Sequence, residues 1–113
     1  MKKIAPPLFL LMSSFCSCEN KNGWPTPADQ CATVSFAKHV QPIINAHCAI
    51  AGCHVTGFPP GDFTTYEGVH AQIENGFFPS KVLEQMSMPP SDTLNGSELE
   101  TLQCWVENGA LNN

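Results

Sequence analysis

Six cysteines crowd into 113 residues, and they restrict what this chain can become more than anything else in it. A chain of this length makes one domain, and a domain so small buries only a modest core. Cross-links, metals or a cofactor then supplement that core. Cysteine usage this high points to an oxidising compartment, a metal, a covalent cofactor, or several of these together.

The first residues speak to the compartment. Lys2 and Lys3 form a basic start, and an apolar run from Ile4 to Phe15 follows, ahead of Cys16 and Cys18. The run is too short to span a bilayer as a helix, which takes about 20 apolar residues. It reads as a secretory signal over residues 1–17, outside the fold. A cysteine at the end of such a segment resembles a bacterial lipobox, where cleavage falls just before a lipid-bearing cysteine. Cys18 fits better than Cys16, because Ser17 is small and Phe15 is a poor residue at a cut. Phe15 and Cys16 depart from the usual lipobox, and ordinary cleavage without lipid is the alternative. The expected location is the periplasm or cell envelope, with a lipid on Cys18 as the membrane anchor.

Removal of the signal sharpens the charge. It leaves Lys21, Lys38 and Lys81 against ten acids, so the formal charge moves from −5 to about −7. There is no arginine. Nucleic-acid binding needs clustered cations and is not expected. An acidic domain suits redox protein partners with a basic docking surface.

Residues 18–30 are polar, with Gly23, Pro25 and Pro27, and read as a flexible tether; the domain then spans 31–113. Its pattern is one of short helices joined by loops rich in proline and glycine. Ser35 can cap a first turn carrying Phe36 and Val40. Pro42 is poor inside a helix and good at its start, which predicts a break near Gln41 and a helix from Pro42 onward. Thr64 and Glu67 have the spacing of a capping box, with Tyr66, Val69, His70 and Ile73 recurring at helical intervals until Gly76. Ser80 to Gln85 makes one more short helix. Ser97 and Glu100 form a second box, ahead of Leu99, Leu102, Trp105 and Val106 on one face of a last helix ending at Gly109. No stretch alternates with period two. The expectation is all-α, with faces too short to enclose much core unaided.

The segment Cys48-Ala-Ile-Ala-Gly-Cys53-His54 places two thiols and an imidazole within seven residues. Covalent haem needs two thiols that reach the vinyl groups on one porphyrin edge. It also needs an imidazole directly after the second thiol, to fall beneath the iron. The usual spacing is C-x-x-C-H; here four residues intervene, small or uncharged, and Gly52 can take positive φ so that the turn bulges without strain. One plain alternative is a Cys48–Cys53 disulfide beside a bystander histidine. Another is zinc, which normally shows a second ligand pair at matching spacing, and none is evident unless Cys31, Cys104 or scattered histidines converge.

This segment resembles the attachment site of c-type cytochromes, some of which use C-x4-C-H. Residues from about Cys31 onward resemble small bacterial monohaem cytochrome c lipoproteins, over about four-fifths of the chain. The resemblance runs through Phe36, Val40, Pro42-Ile43-Ile44, Cys48, Cys53-His54, Tyr66-Glu67, Val69, Met88-Pro89-Pro90 and Trp105 to Ala110. It implies a cytochrome c-like domain around one haem c, held by Cys48 and Cys53 with His54 on the iron.

Haem iron with histidine on one side commonly takes methionine or histidine on the other. Beyond the signal only Met86 and Met88 remain. Met88 precedes two prolines, which hold an extended loop able to fix a thioether, and the resemblance also places an axial methionine before proline. Met88 is the expected sixth ligand, with Met86 or His70 as alternatives; both methionines could otherwise simply fill the pocket. His39 and His47 are expected in solvent or at the haem rim. His54 should donate its other N–H to a carbonyl; related cytochromes use a proline shortly after the motif, so Pro59 and Pro60 are candidates. Cys31 and Cys104 are left over, and in an oxidising compartment they suggest a disulfide, outside the core because Cys104 points away from the Leu99, Leu102 and Val106 face. Two separate buried thiols are the alternative.

These features together describe a single-electron carrier and not an enzyme, since no acid–base constellation is evident. The competing readings are a haem sensor or peroxidase-like enzyme with a labile sixth ligand, and a fixed redox subunit of a membrane enzyme.

Overall fold

The computed structural model describes residues 27–113. The segment read as a signal, the lipid expected on Cys18 and the first part of the segment read as a tether lie outside the described residues. The described chain is all-α. It runs through α1 (Pro27–Ala32), a π-helical turn π1 (Phe36–Val40), α2 (Gln41–His47), α3 (Tyr66–Glu74), a second π-helical turn π2 (Pro79–Glu84) and α4 (Gly96–Glu107). No strand occurs among the described residues. Helix α1 starts at Pro27, inside the segment read as tether.

Ser35 caps π1 as its sequence suggests: its backbone is extended and its hydroxyl accepts the Lys38 N–H. The expected break at Gln41 does not form. Gln41 has helical dihedrals, its N–H reaches back to the Phe36 carbonyl, and α2 follows directly. A proline ring clashes with the carbonyl four residues back. The wider π turn ahead of Pro42 relieves that clash without interrupting the helix.

Both capping boxes differ from the expected ones. At α3 the cap is Thr65, whose hydroxyl accepts the Gly68 N–H at 3.1 Å. Thr64 instead donates both its N–H and its hydroxyl to the Asp62 carboxylate. At α4 the box is Asn95 with Glu98: Asn95 Oδ1 accepts the Glu98 N–H, and Glu98 Oε2 accepts the Asn95 N–H, each at 2.9 Å. Ser97 falls inside the first turn, and its carbonyl accepts the Thr101 hydroxyl.

The core gathers one residue or two from each element except α1. Val40, Ile44, Val69, Leu102 and Trp105 are fully buried, each contributing on the order of 1.5–3 kcal/mol by leaving water. Phe36 lies at the crossing of π1 with α4, its ring 5.3 Å from Trp105 and edge-on to Tyr66 at 5.1 Å. The tail after α4 returns across this crossing. The Ala110 carbonyl accepts the Tyr66 hydroxyl at 2.7 Å, the Leu111 carbonyl accepts Trp105 Nε1–H, and Asn113 accepts from Ser35, Phe36 and Ala37.

Cys31 and Cys104 form a disulfide that ties α1 to α4, with Cα atoms 4.9 Å apart. The bridge stands apart from the main apolar cluster. Cys104 is nonetheless buried, because α1 covers it. Closing a loop this long restricts the unfolded chain. The double substitution Cys31→Ala/Cys104→Ala should therefore lower stability by roughly 2–5 kcal/mol. Urea unfolding at equal protein concentration would read this as a lower midpoint, and an unchanged midpoint would count against it.

Candidate haem-attachment site

The Cys48–His54 segment begins where α2 ends. The N–H groups of Cys48 and Ala49 both reach the Ile44 carbonyl at 2.8 Å. The chain then loops out through Gly52, which takes φ +81°, and returns with the His54 N–H on the Cys48 carbonyl at 3.0 Å. The four inserted residues thus form a closed bulge, and the two cysteines and His54 stay on its neck. Cys48 is buried and Cys53 partly so, and both are free thiols. Burial, then the neighbouring Cys53 and Asp92, push the Cys48 thiol up to about 11. A thiol kept neutral in this way is a poor metal thiolate and a poor redox nucleophile.

His54 is oriented from three sides. Nδ1 lies 3.1 Å from the Gly61 carbonyl oxygen. A carbonyl only accepts, so Nδ1–H is the donor and Nε2 is the nitrogen left for another partner. The imidazole stacks on Phe63 with centroids 4.0 Å apart and planes 9° apart, and Phe58 meets it edge-on. The carbonyl partner is therefore Gly61, and neither Pro59 nor Pro60. The turn from Phe58 to Gly61 swings past both prolines, and Gly61 at φ +136° aims its carbonyl at the ring. A side chain at Gly61 would press on Phe63 and Gln72.

Beside these groups lies a cavity of about 520 Å³. This is within the range of roughly 300–1,000 Å³ typical of cofactor sites. Cys48, Cys53 and His54 lie along one part of its lining, and Phe63, Phe78 and Val82 give apolar wall. Met88 also lines it. The loop carrying Met88 is moored to π2, whose Lys81 carbonyl accepts the N–H groups of Ser87 and Met88 at 2.9 and 3.2 Å. Met86 is not among the lining residues; it is 65 % exposed, with a left-handed backbone at the end of π2. His70 also lies off the cavity, packed on the Tyr66 ring with Nδ1 3.7 Å from Glu74. His39 is exposed, and its Nδ1 accepts the Ser35 N–H. Of the three candidates for a sixth ligand, then, the fold brings Met88 to the cysteines and His54.

His47 is the residue whose part was not visible in the sequence. It lines the cavity, and its two ring nitrogens meet two carboxylates: Nδ1 meets Asp92, and Nε2 lies 3.0 Å from Glu98. Its pKa is raised above 6.5, first by the bond to Asp92 and then by that to Glu98. Asp92 is lowered from 3.8, first by His47. Glu98 is lowered from 4.5, first by the Asn95 N–H and then by His47. The signs fix a window. The histidine's contribution is complete below pH 6.5 and is lost as pH rises through its raised value. The carboxylates' contributions are complete above about 4.5 and are lost as pH falls through their lowered values. The melting-temperature difference between wild type and His47→Ala should therefore peak between pH 4.5 and 6.5 and shrink on either side. A difference flat from pH 4 to 9 would show that this cluster does not titrate with folding.

Among the described residues no three His, Cys, Asp or Glu side chains converge as ligands for a bare metal ion, which is the arrangement structural zinc requires. A porphyrin brings its own four nitrogens, so a haem asks only for axial ligands and a dry pocket, and the donors lining this cavity fit that demand. Comparisons with family models, with curated proteins and with solved structures return no match to this chain.

Proposed function

We propose that this protein is a single-electron carrier of the cell envelope, a cytochrome c-like domain with one covalently attached haem c. One observation carries the reading: Cys48, Cys53, His54 and Met88, drawn from separate segments, line a single apolar cavity of about 520 Å³. Cys48 and Cys53 would hold the haem as thioethers, and His54 and Met88 would supply the axial donors. When bound, the haem would supply the redox chemistry, an Fe(III)/Fe(II) couple. The chain's own residues keep that change small. Gly61 and Phe63 hold the His54 ring in place, the Lys81 carbonyl holds the Met88 loop, and Phe63, Phe78 and Val82 give the cavity apolar wall. Met88 would offer the iron a soft thioether, a donor that favours the reduced state and a raised potential. The acidic surface suits redox partners that present basic residues, and a lipid on Cys18 would keep the carrier at the membrane.

The test is direct. The chain made with a cytochrome c maturation system should give a haem-stained band after denaturing electrophoresis and a c-type pyridine haemochrome spectrum. A haem-free band of normal mass would end the proposal.

A further inference from the structure

We infer that His47 is a positioning residue for the sixth ligand: its imidazole clasps the Met88 loop, through Asp92, to the cysteine segment and, through Glu98, to the start of α4. The inference rests on reading the cavity as a haem site.

The geometry makes the clasp necessary. Residues 88–94 leave π2 at the Lys81 carbonyl and are next fixed where Leu94 is buried and Asn95 caps α4. Pro89 and Pro90 stiffen the stretch between and have no N–H to tie it down. Met88 itself is 40 % exposed, so packing holds it weakly. Asp92 supplies the missing hold, from the far side of the prolines. Its partner His47 is the residue directly before Cys48. The loop that brings the thioether is thus joined to the segment that would hold the porphyrin. Glu98 has two tasks, accepting the Asn95 N–H with one oxygen and His47 Nε2 with the other. The cap of α4 and the clasp share one side chain, so the loop's far end and the imidazole move as a unit. His47 is 16 % exposed, and both its ring nitrogens are engaged. It therefore holds the loop without entering the position that the thioether would occupy.

His47→Ala and Asp92→Ala test this in the intact protein. Asp92 is the gentler site, being half exposed and remote in sequence from the cysteines. Both variants should keep covalent haem and lose intensity in the methionine–iron charge-transfer band. Reduced protein should bind carbon monoxide at least tenfold faster than wild type, and the Met88 amide should exchange with solvent at least tenfold faster. Haem-loaded variants with the wild-type band, carbon monoxide rate and amide exchange would overturn the clasp. A haem-free wild type would instead overturn the haem reading, and amide exchange at Met88 would still decide whether His47 holds the loop.

Discussion

Met88→Ala is expected to leave the haem attached and open the iron to carbon monoxide. Attachment depends on Cys48 and Cys53, which the substitution does not touch. The side chain is 40 % exposed, so its truncation should cost the fold little. The loop keeps its mooring, because the bond to Lys81 comes from the Met88 backbone. What is lost is a neutral, soft donor that favours Fe(II). The potential should fall on the order of 100 mV, a fraction of the roughly 0.8 V that axial ligation spans. Redox titration and carbon monoxide difference spectra of the variant would measure both effects. A six-coordinate low-spin spectrum at unchanged potential would move the ligand to Met86 or His70. Either residue would then have to travel to a cavity it does not line.

A large effect on folding is also expected from Gly68→Ala. Gly68 lies in the first turn of α3, against the turn that leads out of the attachment segment. A Cβ there would sit 1.6 Å from the Asp62 carbonyl oxygen. The obstacle is backbone, which cannot swing aside as a flexible side chain would. Either α3 or residues 61–63 must shift, and those residues include the Gly61 carbonyl and the Phe63 ring that orient His54. The cost should reach about 3 kcal/mol, the upper part of the range for overpacking. For a domain of this size that is a fall in melting temperature of roughly 12–24 °C. Calorimetry of the variant would decide it, and a loss of only a few degrees would mean that this contact yields easily.

Some of this was legible in the sequence for a definite reason. A motif confined to a few neighbouring residues carries its geometry with it: Cys48 to His54 forms a closed bulge because Gly52 permits it, and Met88 before two prolines sits on a braced loop. The caps were legible as a kind and not as positions. Thr64 and Thr65 are equally good caps on paper, and a third residue, Asp62, takes Thr64 out of the contest. Asn95 with Glu98 and Ser97 with Glu100 have the same spacing, and burial of Leu94 sets which pair begins α4. His47 was least legible, since its partners lie 45 and 51 residues away. Only the assembled fold brings two acids to one imidazole.

The Cys31–Cys104 bridge has a consequence beyond stability. Every residue lining the cavity, from His47 to Pro90, falls between the two bridged cysteines. The walls, the thiols, His54 and Met88 therefore belong to one covalent ring. Should the Met88 loop swing away, its chain connections to π2 and α4 keep it near, the bridge keeps those two elements in one ring, and its return is first-order and independent of protein concentration. The thioether then faces the cavity at the millimolar effective concentration that a short tether gives. A sixth ligand bound this way would let go often and still be present nearly all of the time.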